Sequence, residues 1–182
     1  MRTAFVALAA LVPAIVVAQG DNQAKITSAL SAGPMAITST AAIQDWDGTV
    51  LRPGTSSWIC LPDMVQTPQH DPMCLDGPWM TWVHAFMSGT APSIDRIGFG
   101  YMLSASGAES NTDPAATGPT ATNEWLTDGG AHVMMVVPNA TMLRGLPTHP
   151  SQADGGPWVM WRDTPYVHVM IPLPTRPARG RP

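Results

Sequence analysis

Positive charge is scarce in this chain. Nine Lys and Arg stand against thirteen Asp and Glu, and Lys25 is the only lysine. A net acidic chain lacks the electrostatic footprint needed to grip a phosphate backbone, which excludes non-specific nucleic-acid binding. Three of the arginines (Arg176, Arg179 and Arg181) lie between Pro and Gly, so residues 174–182 are expected to form a disordered basic tail. Cysteine is nearly absent. Cys60 and Cys74 are too few for a cysteine metal cluster and too far apart for a two-residue redox motif. No nucleophile elbow, zinc-binding His-Glu pair or phosphate loop occurs. Beyond the N-terminus no apolar run is long enough to span a bilayer.

What is present begins with Arg2 and an uncharged run from Ala4 to Val17, weighted by Phe5, Leu8, Leu11, Val12 and Ile15. Val16-Val17-Ala18 follows with small residues at the positions a signal peptidase reads. Residues 1–18 therefore read as an export signal cleaved after Ala18, since the run is short for a membrane span. Removing 18 of 182 residues leaves 164, enough for one domain with a core. Residues 19–34 are small and polar and are expected to be a flexible lead-in, with the globular domain at 35–173. The implied location is periplasmic or secreted. In that oxidising setting Cys60 and Cys74 are expected to pair, closing a 15-residue loop worth about 3 kcal/mol by chain entropy.

Sixteen Gly and nineteen Pro point to short elements joined by turns rather than a helical bundle. Eleven of the thirteen acids are Asp, which suits turns and caps. Met35–Ile43 alternates weakly as a strand. Thr49–Arg52 and Ser57–Leu61 flank Pro53-Gly54 and read as a β-hairpin. Asp71-Pro72 reads as a short helical start inside the disulfide loop. Asp76-Gly77-Pro78 opens the main helix, expected over 78–88 from Trp79, Trp82, Val83 and Phe86 at helical spacing. Strands are expected at 97–103, where two glycines permit close backbone approach, and at 131–137, 158–161 and 166–171. One helical turn is expected at 140–144. Residues 104–123 form a long low-complexity connection that reads as a lid, a binding loop or disorder. The sum is an α+β domain: a small, mainly antiparallel sheet of short strands, one main helix and one disulfide.

Two strands carry the same tripeptide, His132-Val133-Met134 and His168-Val169-Met170. Alternation puts His132 with Met134, and His168 with Met170, on one face, and leaves the branched residues on the other, the natural core side. If the strands are neighbours, two imidazoles and two thioethers converge, a donor set suited to copper. Structural roles compete: methionine fills core gaps, and a strand histidine often bonds a nearby carbonyl. Asp45-Trp46-Asp47-Gly48-Thr49 resembles the first motif of haloacid-dehalogenase-type phosphatases, but no later lysine or acidic Mg²⁺ cluster supports it, and a tight turn at Asp47-Gly48 explains it. Seven tryptophans also permit a sugar-stacking platform, with Trp46, Trp125, Trp158 and Trp161 as candidates.

The series Asp45-Trp46, Trp58-x-Cys60-Leu61-Pro62-Asp63, Asp71-Pro72-Met73-Cys74-Leu75-Asp76 and His132-Val133-Met134 resembles a family of exported bacterial proteins of unknown function, over about residues 36–172. The resemblance implies a bacterial envelope or secreted location and no activity. The sequence thus leads to an exported, non-enzymatic protein that binds a small ligand or an envelope partner, or copper, through His132, Met134, His168 and Met170. Two alternatives remain. One is a secreted enzyme with a His/Asp site under the 104–123 loop. The other is a structural or carbohydrate-contacting protein.

Overall fold

The structure is a computed structural model that describes residues 14–64, 67, 69–127, 129–151 and 155–174, with side chains from residue 21 onward. Residues 1–13 of the expected signal and 175–182 of the expected tail lie outside the described residues. No helix among the described residues is long and apolar enough to cross a membrane.

An eight-stranded sheet organises the chain. Its strands are β1 (Ala42–Gln44), β2 (Val50–Arg52), β3 (Ile59–Leu61), β4 (Met73–Leu75), β5 (Gly98–Met102), β8 (His132–Val136), β9 (Trp158–Met160) and β10 (His168–Pro172). They are ordered β2-β1-β3-β4-β5-β8-β10-β9. Every pairing is antiparallel except β1 with β3. The α+β class and the short strands agree with the sequence reading. The sheet is larger than the small one expected, because three-residue strands that carry almost no period-2 signal still pair along both edges. A separate two-stranded ribbon joins β6 (Glu109–Ser110) to β7 (Trp125–Leu126).

Several local expectations are corrected. Residues 19–34 are not a loose lead-in. Helix α1 (Ala14–Ser31) runs through them, and Ala29 within it and Ala32 just after it are buried against Ile43, Cys60 and Cys74. The small residues that made this segment look flexible are what let the helix lie close to the disulfide. Met35–Thr38 is a short helix, α2, rather than the start of a strand. Pro53-Gly54 is not a hairpin turn. β2 and β3 both pair with β1, and a Cβ on Gly54 would lie 2.1 Å from the Ala42 backbone nitrogen, so this glycine serves a close chain crossing. The tight turn falls at Asp47-Gly48, where Asp47 accepts from the Thr49 N–H. That is the turn reading of the phosphatase-like string, and Asp45 there pairs with Lys25. Asp71-Pro72 leads into β4 instead of a helix.

Cys60 and Cys74 stand directly opposite each other in β3 and β4 and form a disulfide. The main helix, α3 (Gly77–Met87), forms as expected. Asp76 caps it by accepting from the Trp79 N–H at 3.1 Å, and also holds the Phe99 N–H at 2.7 Å, tying the helix to β5. Gly98 makes that docking possible, because a Cβ there would stand 2.5 Å from the Pro78 Cβ.

The sheet is covered on both faces. Helix α3 lies on the face carrying Leu61, Leu75, Met134 and Met170. The opposite face is covered by α1 at the disulfide end and by the 3-10 turn Ala140–Leu143 over Val159 and Val169 at the other. The branched residues of β8 and β10 therefore do face a core, but the smaller one. The histidine and methionine face meets the main helix, which reverses the expected assignment, because α3 brings three indole or phenyl rings that match methionine in length and polarisability.

Candidate functional site

Register sets the site. Across β5 and β8, Met102 stands opposite His132, and Gly100 opposite Met134. Across β8 and β10, Met134 stands opposite Met170. Across β10 and β9, His168 stands opposite Met160. Directly paired residues share a face, so two histidines and four methionines form one continuous patch over four strands. The two imidazoles do not share a rung. His132 pairs with Pro172 at one end of β10, and His168 lies toward the other end. Their backbone positions are four residues apart along the strands, about 13 Å. The expected convergence is thus two clusters joined by the Met134–Met170 pair: His132 with Met102 and Met134, and His168 with Met160 and Met170.

This patch forms one wall of a cavity of about 210 Å³ under α3. The helix supplies Trp79, Trp82, Val83 and Phe86 as the facing wall. Trp46, Met64, Thr67 and the exposed Met87 lie at its margin. All four residues singled out from the sequence, His132, Met134, His168 and Met170, are buried and line it.

Both histidines have a fixed tautomer. His132 Nδ1 lies 2.8 Å from the Gly130 carbonyl and 3.1 Å from that of Gly129, and carbonyls only accept, so Nδ1 carries the proton. His168 Nδ1 donates likewise to the Tyr166 carbonyl at 2.9 Å. In each ring Nε2 then carries the lone pair, and that of His132 has no hydrogen-bond partner among the described residues. Burial disfavours the charged ring and pushes both pKa values down, that of His168 to about 4, against the partial opposition of the carbonyl bonds. Three indoles enclose His168 edge-on: Trp79, Trp82 and Trp161, with ring centroids at 5.4, 5.6 and 5.0 Å.

Among the described residues three buried polar atoms have no hydrogen-bond partner, and each belongs to a residue that lines the cavity: Trp79 Nε1, Trp82 Nε1 and His132 Nε2. Trp161 adds backbone strain. Its φ is +51°, a region tryptophan rarely adopts. It is held there by its Nε1 bond to the Ser110 carbonyl at 2.7 Å and by stacking on Phe86 and Trp82.

Acids also reach the cavity. Glu109 in β6 lines it, and burial together with the charge of Asp71 pushes its pKa up to about 7. Burial also raises Asp71, although it accepts from the Met64 N–H and the Thr67 hydroxyl. The 104–123 segment is therefore beside the site, as expected, and is tied to it by the His70–Ser106 bridge and the Gln69 bond to the Ala108 carbonyl. Sequence reasoning missed Glu109. Its one signal was its rarity, as one of two glutamates, set in a run of small residues.

Of the four tryptophans considered for sugar stacking, Trp158 is buried and donates to Asn111 at 3.0 Å, whereas Trp46, which donates to the Pro62 carbonyl, Trp125 and Trp161 are half-buried. Among the described residues no three His, Cys, Asp or Glu stand together in a group able to hold a metal. No family model, curated protein or solved structure matches the chain.

Proposed function

We propose that this is an exported, periplasmic or secreted protein that binds a small ligand in the cavity beneath α3. The observation that carries the reading is the trio of unpartnered atoms, Trp79 Nε1, Trp82 Nε1 and His132 Nε2, all on residues that line a largely apolar cavity. An unmet buried donor or acceptor costs about 1–3 kcal/mol, and three together approach the net stability of a small domain. A wall that only had to be filled would carry leucine. Two donors and one acceptor around an open volume suit an occupant that bonds to them. The disulfide, and the signal-like run at residues 1–18, support export.

The test is a fragment titration followed by the indole N–H resonances. Small amphipathic fragments are expected to shift the Trp79 and Trp82 signals and leave that of Trp125 in place. If no fragment in a diverse set moves either indole, the ligand reading fails. Export is tested by N-terminal sequencing of the protein recovered from a bacterial periplasm, with Gln19 expected as the first residue.

A second reading rests on one further observation. Glu109 and Asp71 share the cavity with the free lone pair of His132, the components of a general acid–base site. Turnover of a bound fragment that stops in Glu109→Gln would favour an enzyme over a binding protein.

A further inference from the structure

We infer that the ligand of this cavity is Cu(I), held by His132 Nε2 with the thioether sulfurs of Met102 and Met134. The inference rests on the reading of the cavity as a ligand site and names its occupant.

Four observations carry it. First, the His132 ring is arranged as a metal-binding imidazole: Nδ1–H is spent on two backbone carbonyls, and Nε2 points its lone pair to no partner in a buried wall. Metal-ligating histidines donate their second nitrogen in this way, which fixes the tautomer and the ring plane. Second, register places two methionines on the strand positions next to His132 on the same face. Met102 is directly across the strand pair, where Cβ atoms stand about 5 Å apart, and Met134 is the next residue on the same face. Methionine has enough length and torsional freedom to turn its sulfur inward from either position. Third, His132, Met102 and Met134 all line the same cavity, and His132 and Met102 also line the smaller pocket beside it. Fourth, the donor chemistry selects the ion. The side chains that register sets next to His132 on its face are thioethers, and among the described residues no three His, Cys, Asp or Glu stand together as a harder alternative. Thioether discriminates against hard and borderline divalent ions and in favour of Cu(I).

His168 has the same kind of neighbours, Met160 and Met170, but three indoles crowd its ring, and its lone pair is not the unpartnered one. The His132 cluster also lies nearer Glu109 and Asp71, with which it shares a smaller adjoining pocket.

The experiment is anaerobic titration of the whole protein, without reductant that cleaves the disulfide, against the coloured Cu(I) complex of bicinchoninate. The protein is expected to withdraw one equivalent of Cu(I). His132→Ala should weaken that transfer by at least about 100-fold, more than a second-shell change costs. His168→Ala should leave it unchanged. Because a core histidine variant can unfold, X-ray absorption on the copper-loaded wild type is read beside it, and one nitrogen and two sulfur scatterers are expected. No transfer of copper, or a copper shell without sulfur, overturns the inference. Retention in His132→Ala, or loss confined to His168→Ala, overturns the placement. If fragments still shift the Trp79 and Trp82 indoles while copper is refused, the copper assignment falls and the ligand cavity stands.

Discussion

Glu109→Gln isolates the protonation of the cavity wall. In the folded protein the Glu109 carboxyl stays neutral up to a pKa of about 7, against an ordinary 4.5. A folded pKa raised above the unfolded one means that the stability contribution is complete below pH 4.5 and is lost as pH rises through 7. The full displacement corresponds to about 3 kcal/mol. Partial exposure at the cavity margin trims this to about 2 kcal/mol. Glutamine has the shape of the neutral acid and cannot ionise. The variant should therefore match the wild type near pH 4 and exceed its stability by about 2 kcal/mol at pH 8. His168 acts in the opposite sense. Its pKa is depressed from 6.5 to about 4, so its contribution is complete above pH 6.5 and fades as pH falls through 4. The two slopes oppose one another between pH 4.5 and 6.5 and leave the wild type nearly level there, whereas the variant should climb through the same range. The assay is urea unfolding followed by tryptophan fluorescence at five pH values from 4 to 8. The difference between the two proteins is read at each pH, so that titrating groups other than Asp71, whose charge acts on Glu109, cancel. A difference that stays flat from pH 4 to 8 would refute a buried, protonated Glu109.

Two further outcomes follow from the fold. Replacing both cysteines, Cys60→Ala with Cys74→Ala, should cost about 3 kcal/mol, seen as a lower urea midpoint with a changed slope, because the unfolded chain regains the freedom of the closed loop. Gly98→Ala should lower the thermal midpoint through a loss of about 1–3 kcal/mol, since its methyl would stand 2.5 Å from the Pro78 Cβ and push α3 off the sheet. A midpoint equal to that of the wild type would show that α3 does not dock as described.

The parts of the fold legible in the sequence were those with a strong local signal. Asp76 and Pro78 announce the start of α3, and Trp79, Trp82, Val83 and Phe86 announce its buried stripe, so the helix ends within a residue of its expected place. The later strands likewise showed their runs. The first four strands showed less. β2 and β3 fall inside the runs expected at 49–52 and 57–61, but β1 only overlaps the end of its expected run and β4 lies where a helical start was expected, since three residues are too short for alternation to register. The parallel pairing of β1 with β3 depends on a chain crossing at Gly54 that no local rule encodes. Helix α1 was hidden for a related reason. Contact with the disulfide is made by Ala29 within it and Ala32 just after it, whose size is the point of the contact and whose composition reads as a loop. At the site, period-2 alternation put His132 with Met134 and His168 with Met170 on shared faces. It could not supply the register, which turned one four-residue cluster into two.

The cavity is also where the departures from ordinary packing gather. The three unmatched polar atoms, the positive-φ tryptophan and the carboxyl held neutral to about pH 7 all belong to its lining. Each is individually unfavourable: about 1–3 kcal/mol for an unmet polar atom or a strained backbone residue. Scattered through the molecule they would read as imperfections of a core. Concentrated on one wall, they have a common cause in what that wall must present. The remainder of the sheet offsets them with conventional means. The disulfide joins β3 to β4, and Asn111 bonds Glu124, Thr148 and Trp158 behind the cavity. The second hydrophobic layer closes the opposite face. An occupant that satisfied His132 Nε2 and the two indoles would recover part of that cost on binding. Occupancy should therefore raise the unfolding temperature most in the wild type, and less in any variant that has already relieved the strain.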